Sequence, residues 1–250
     1  MSQPRLPLSV SAVALDLDGT LLDTADDIAG AVDATLVSLG FTPLGLAVVR
    51  ELIGQGVIHL LRTALTRAAG GAEPEEDLVA RSQLVFNVEY AAGLCQRTAP
   101  YPGALAGLDS LAAAGFPLAC VTNKPERFTT PMLRALELEE YFALVVSGDT
   151  LPVKKPDPGP LLHAGSRLGV PPSRLLLIGD SVHDLRAARS AGCPFFCVTY
   201  GYTGEPDALA READAAFDSL ADVARHLILA SSVPEIAPAP GWGRDAASAS

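Results

Sequence analysis

Asp16 and Asp18 stand two residues apart in Asp16-Leu17-Asp18-Gly19-Thr20, at the end of the apolar run 10–17. Alternate side chains of a strand share a face, so both carboxylates project from one side. Two carboxylates ~4 Å apart repel by about 4 kcal/mol at an effective dielectric of ~20. A divalent cation removes that cost, and Mg2+ prefers oxygen ligands. Gly19 lets the backbone turn away tightly. Three further groups follow later apolar runs. Thr122 and Asn123 precede a turn-like Lys124-Pro125. A hydroxyl and free backbone N–H groups beside a helix start suit a phosphoryl group. In Lys154-Lys155-Pro156-Asp157-Pro158 one lysine could neutralise a phosphate and a nucleophile together. Asp180 closes the apolar run 174–178, where a metal ligand belongs, and Asp184 begins a helical pattern. Asp184 either supports that site or caps the helix. Taken singly, Asn-Lys-Pro reads as a turn and Lys-Pro-Asp-Pro as a solvated loop. Together, at successive strand ends, they read as a site for phosphoryl chemistry.

Other polar groups carry weaker patterns. His59, His163, His183 and His226 make no metal-ligand spacing. Ser181 lacks a Gly-x-Ser-x-Gly turn and a paired histidine, which excludes a serine nucleophile of that kind. Cys95, Cys120, Cys193 and Cys197 are too thinly spread for a disulfide framework and read as free thiols of a reducing compartment. Asp23 and Thr24 cap a following helix or form a hinge.

Five short apolar runs supply the strands that would position the acids: 10–17, 116–122, 143–147, 174–178 and 194–199. Strands buried on both faces of a parallel sheet read as continuous apolar runs. From the second onward they alternate with helical patterns at 104–114, 126–136, 159–168 and 184–190, with Gly169 and Gly192 where C-caps belong. That alternation predicts an α/β fold with a doubly wound parallel sheet and a Rossmann-like core. Between the first two runs, 27–39, 56–69 and 75–94 carry helical apolar spacing. A crossover needs only about a dozen residues, so this stretch predicts a helical insert. The predicted organisation is a discontinuous core of 10–23 and 99–230, a helical insert of 24–98, and a disordered Ala/Pro/Ser-rich tail of 231–250.

The 250-residue chain is 49% hydrophobic and 19% charged, with a formal net charge of -11. The apolar content excludes disorder for most of the chain. The negative charge argues against nucleic acid and anionic membranes as partners. No run reaches the ~18 apolar residues of a membrane span, and residues 1–11 contain no apolar stretch of signal-peptide length. A cytoplasmic protein is the expectation, with its oligomeric state, a homo-oligomer included, left open.

The order of carboxylate pair, Thr, Lys and acid pair resembles the haloacid dehalogenase superfamily of phosphohydrolases over roughly residues 10–229. Tyr101-Pro102-Gly103 and the stretches 121–128, 147–162 and 179–192 are similar to bacterial phosphoglycolate phosphatases, and the insert with Leu52-Ile53-Gly54-Gln55-Gly56 is similar to their small helical cap. The resemblance implies Mg2+-dependent hydrolysis of a small phosphorylated metabolite, 2-phosphoglycolate first. Another sugar-phosphate phosphatase, a phosphoryl-transferring mutase and a non-catalytic phosphate-binding relic are the alternatives; the intact acid pair, Thr122, Lys155 and Asp180 argue against the relic. By resemblance Asp16 is the nucleophile and Asp18 the general acid and base. Thr122, Asn123 and Lys155 hold the phosphoryl group, Lys155 rather than Lys154 because it directly precedes Pro156. Asp16, the Asp18 backbone carbonyl and Asp180 ligate the metal, and Asp184 supports them. The cap would choose the leaving group. Gly54 and Gly56 could let the backbone approach a two-carbon carboxylate, with Arg62 a candidate counter-charge and Arg50 and Arg67 equally available.

Overall fold

A computed structural model describes residues 9–231. Its elements run β1 (Ala12–Leu15), β2 (Leu22–Asp23), α1 (Ala25–Ser38), α2 (Leu46–Arg50), α3 (Val57–Ala68), α4 (Glu76–Ala92), β3 (Ala99–Pro100), α5 (Ala104–Ala113) and β4 (Leu118–Val121). They continue with α6 (Glu126–Ala135), β5 (Leu144–Val146), α7 (Gly159–Leu168), β6 (Leu175–Gly179), α8 (Val182–Ala191), β7 (Phe195–Val198), α9 (Pro206–Glu212), β8 (Ala215–Phe217) and α10 (Leu220–Ser231). The tail expected over 231–250 lies outside the described residues except Ser231, which ends α10. Among the described residues no helix is long and apolar enough to cross a membrane.

Six strands form one parallel sheet in the order β5-β4-β1-β6-β7-β8. The order reverses at β1, which pairs with β4 on one side (Val13 with Leu118) and β6 on the other (Val13 with Leu176). Open α/β sheets bind ligands beyond the carboxyl ends of the strands at such a reversal. Strand periodicity divides the core between two faces. Val13, Leu15, Leu176 and Ile178 face Leu108 of α5 and Val223 of α10, while Ala12, Ala14, Leu175 and Leu177 face Leu161 of α7 and Leu185 of α8. The expected doubly wound sheet is therefore present, with each run trimmed to its hydrogen-bonded centre. One strand of this sheet was not expected. β8 is a three-residue edge strand of partly exposed side chains, too short and too little buried to show as an apolar run.

The helices α1 to α4 lie between β2 and β3, a two-residue antiparallel ladder in which Leu22 pairs with Pro100 and Asp23 with Ala99. These strands carry the chain out of the sheet region and back. α1 packs on α2 and α4, and α3 packs on α4. α2 is only five residues long, and its one buried side chain, Val49, gave no periodic signal.

Asp27, in the first turn of α1, fastens the two ends of this excursion. Its carboxylate accepts from Arg97 N at 2.9 Å, Thr98 N at 2.9 Å and Thr98 Oγ1 at 2.6 Å. Asp27→Ala strands these donors at a buried site, where one unsatisfied group costs about 1–3 kcal/mol. Urea unfolding is expected to show a loss of about 2–4 kcal/mol. Asp26→Ala, at a half-buried neighbour paired only loosely with the exposed Arg97, is expected to stay within ~0.5 kcal/mol of the parent.

Candidate active site

Asp16 directly follows β1, its N–H donating to Ile178 O at 3.0 Å. Leu17 O then collects the N–H groups of Leu21 and Leu22, turning the chain sharply. Gly19 sits in this turn at φ +86°, and Gly201 approaches from the loop after β7. A Cβ at either position would overlap the Asp180 side chain, so both glycines make the space in which Asp180 lies. Asp180 follows β6 and accepts from Thr20 Oγ1 at 2.9 Å and Tyr202 N at 2.7 Å. Thr122 follows β4 and is buried.

Lys155 joins two of these strand ends to the first turn of α8. Its buried Nζ donates to Asp184 Oδ1 at 2.6 Å, Val121 O at 2.7 Å and Asp16 Oδ1 at 2.9 Å. An ammonium has three donors, and all three are used. Burial pushes the Lys155 pKa down, but the facing Asp16 and Asp184 carboxylates outweigh it and leave the pKa raised. Lys154, weighed beside it in the sequence, lies half-buried against Gly56 of the insert.

Asp184 is fully buried and is the third residue of α8 rather than its N-cap. The N-cap is Ser181, whose Oγ accepts from Asp184 N at 3.2 Å while Asp184 Oδ2 accepts from Ser181 N at 3.1 Å. This reciprocal arrangement is a capping box. The capping alternative considered for Asp184 thus moves to Ser181, because the helix starts two residues before the expected 184.

Asp16, Asp180 and Asp184 each bring a carboxylate oxygen within 4.8 Å of the others. Burial pushes Asp16 up to about 7, with Lys155 pulling it down and Asp184 pushing it further up. Burial, then Asp184 and Asp16, push Asp180 up to about 8. Three buried carboxylates against one ammonium form a hard, oxygen-only donor set with excess negative charge. That chemistry fits Mg2+.

Asp18 turns elsewhere. Its Oδ1 accepts from Thr24 Oγ1 at 2.8 Å, and Lys124 Nζ lies 3.1 and 3.2 Å from its two oxygens. Lys124 Nζ also donates to Tyr90 OH of α4 at 2.7 Å. Thr24 therefore does not cap α1 with its side chain; it orients Asp18, while its N–H donates to Tyr202 OH at 2.6 Å. Asp23 stays at the helix entry, accepting from Ala25 N at 3.3 Å. Lys124, Tyr90, Thr20 and Tyr202 were missed as site residues. For Lys124 the only signal was a cation just beyond a strand end.

Asn123 Nδ2 donates to Gly54 O and to Lys155 O, each at 2.9 Å. Both amide hydrogens are spent on joining the insert to the core, so its side chain is not a free donor for a phosphoryl oxygen. Arg62 turns to Glu76 at 2.8 Å, Arg67 to Glu51 at 3.3 Å, and Arg50 lies over the Tyr202 ring. None of the three lines the pocket, and Arg62 is corrected from counter-charge to a surface ion pair.

The pocket occupies about 500 Å³, its open mouth included. Asp16, Asp18, Thr122 and Lys124 form the core side; Ile28, Ile53, Val57, Leu60, Phe86 and Tyr90 of the insert form the other. Two carboxylates, a hydroxyl and one lysine thus face a largely apolar space, with Lys155, Asp180 and Asp184 buried behind Asp16. That arrangement can hold a phosphorylated small molecule and exclude water from its organic end.

Known proteins share this frame. Residues 13–198 match the model of the haloacid dehalogenase-like hydrolase family. A protein of Nitrosospira multiformis named phosphoglycolate phosphatase is 49% identical over 216 residues, covering 86% of this chain and 95% of the relative. The crystal structure of a protein from Haemophilus somnus, described as a predicted phosphoglycolate phosphatase, aligns with TM-score 0.82 at 32% identity, covering 87% of this chain and 98% of that one. CbbY from Rhodobacter sphaeroides, solved in complex with phosphate, aligns with TM-score 0.72 at 26% identity over 86% of this chain and 96% of its own. With the family model spanning most of the chain and a relative at nearly half identity, the protein belongs to the haloacid dehalogenase-like hydrolases.

Proposed function

We propose that the protein hydrolyses 2-phosphoglycolate to glycolate and phosphate through an aspartyl-phosphate on Asp16, with Mg2+ bound. The carrying observation is Lys155 Nζ held between Asp16 and Asp184, with Asp180 in the same buried cluster beside the pocket. Asp16 Oδ1 is occupied by Lys155 and by Leu17 N at 2.8 Å, so Oδ2 is the oxygen that attacks phosphorus. As the bond from phosphorus to the alkoxide breaks, Asp18 gives the alkoxide its proton. It then takes a proton from the water that attacks the aspartyl-phosphate. Thr122 holds a phosphoryl oxygen, and Lys155, its three donors spent on Asp16, Asp184 and Val121 O, supplies positive charge beside the nucleophile. Asp16, Asp180 and the Asp18 backbone carbonyl would hold the metal, with Asp184 supporting them; bound Mg2+ supplies charge stabilisation between nucleophile and phosphoryl group.

The helices α1 to α4 are read as a cap over the pocket, and the enzyme as a cytoplasmic one acting on a free metabolite. The names of the relatives support the substrate. A panel of phosphomonoesters assayed for phosphate release tests it. 2-Phosphoglycolate is expected to exceed hexose 6-phosphates in kcat/KM by about 100-fold or more, the size of effect a shaped pocket gives when a substrate's polar group is matched. A sugar phosphate leading the panel would replace the substrate and keep the chemistry. Excess chelator is expected to abolish turnover and Mg2+ to restore it. Ca2+, with its larger and looser shell, is expected to inhibit. Full activity in chelator would remove the metal from the proposal.

A further inference from the structure

Lys124 and Tyr90 are polar groups of the pocket that the chemistry at phosphorus does not use and that, unlike Asn123, keep unspent donors. Lys124 comes from the core loop after β4, Tyr90 from α4 of the insert, and both are buried. Their contact is close on two counts: Nζ donates to Tyr90 OH at 2.7 Å and lies 4.7 Å from the ring centroid. Counting donors shows what remains. The ammonium has three N–H groups. One serves Asp18, shared between its oxygens, and one serves Tyr90. Tyr90 OH accepts in that contact, and its own proton meets no acceptor among the described residues. One ammonium N–H and one phenol O–H are thus unspent, side by side, on the pocket wall.

Their surroundings favour an anion. Ile28, Ile53, Val57, Leu60, Phe86 and Phe128 form the apolar wall on the side away from Asp16, Asp18, Thr122 and Asn123. A charge-assisted hydrogen bond gains strength where water is excluded, and an unpaired one is costly there. From this geometry we infer that Lys124 and Tyr90 are the specificity pair for the leaving group: they receive a carboxylate carried one carbon from the ester oxygen. Neither an aliphatic alcohol nor a sugar ring offers an anion to these two donors. Lys124 also touches Asp18, so the carboxylate of the leaving group and the acid that protonates its oxygen are placed by one ammonium. The half-buried Lys154 is the rival cation: its Nζ lies behind Gly56 of the wall, and its own side chain does not line the pocket.

This inference rests on the proposed substrate and is tested separately from it. 2-Phosphoglycolate and 2-hydroxyethyl phosphate, its uncharged counterpart, are compared with the Mg2+-loaded enzyme. The parent is expected to favour the carboxylate ester by about 100-fold in kcat/KM. Lys124→Met is expected to reduce that ratio to below about 10, mostly through KM. Should that variant not fold, Tyr90→Phe keeps Lys124 with Asp18 and is expected to reduce the ratio about tenfold, again through KM. Lys154→Met is expected to keep the parent ratio. A parent with no preference for the carboxylate ester would remove the substrate reading. A preference that survives both Lys124→Met and Tyr90→Phe, or that falls instead with Lys154→Met, would overturn the inference alone.

Discussion

Asp16→Asn is expected to lower kcat by about 10,000-fold or more, equivalent to at least about 5.5 kcal/mol of barrier. The amide keeps the size of the carboxylate and loses the charge that attacks phosphorus. Its effect on the metal-free fold should have the opposite sign. Burial raises the Asp16 pKa from 3.8 to about 7 in the folded protein. An acid raised on folding costs stability when ionised, a cost that grows above 3.8 and is complete above about 7. Asn removes that cost, while Lys155 keeps Asp184 and Val121 O. Thermal unfolding in chelator at pH 8 should therefore show Asp16→Asn at least as stable as the parent. Near-parental kcat with the same stability would exclude Asp16 as the nucleophile.

Lys155→Met is expected to damage both properties. Removing one member of a buried ion pair typically costs about 3–5 kcal/mol, because the other charge is left uncompensated. Here Asp16 and Asp184 lose their shared cation, with Asp180 close by. Urea unfolding in chelator should show a loss of that order, and kcat should fall by about 100-fold or more as the positive charge beside Asp16 disappears. Mg2+ should return part of the lost stability, since a cation that binds only the folded site stabilises it by mass action. A variant as stable as the parent in chelator would contradict the charge balance drawn for the cluster.

The sheet was legible because its central strands are buried on both faces. Runs such as 175–178 stay apolar throughout, and the residues just past each run lie at the carboxyl edge of the sheet. Asp16, Thr122 and Asp180 could be placed on that ground alone. β8 could not, since an edge strand of three partly exposed residues has no such run. The site became illegible where contact, not placement, carries the role. Lys124 meets Asp18 across 106 residues of sequence, and Tyr90 meets Lys124 across 34. Spacing says nothing of such meetings, and Asn123-Lys124-Pro125 has the composition of a turn. Arg62 shows the reverse failure. It sits on the right helix, but the exposed Glu76, 14 residues on, takes its guanidinium. A helical pattern gives a face and not the partner that face finds.

The central claim is that the phosphoryl group passes through Asp16, and Asp18→Asn offers the most direct test. An aryl phosphate has a leaving group that departs without a proton, so this variant should still phosphorylate itself. It has lost the base that activates water, so the acyl phosphate should persist. Mixing Asp18→Asn with Mg2+ and 4-nitrophenyl phosphate should release a burst of one nitrophenolate per active site and then slow sharply. Borohydride reduction of the quenched protein should convert residue 16, and no other aspartate, to homoserine. Steady turnover without a burst, or homoserine at another position, would contradict the account.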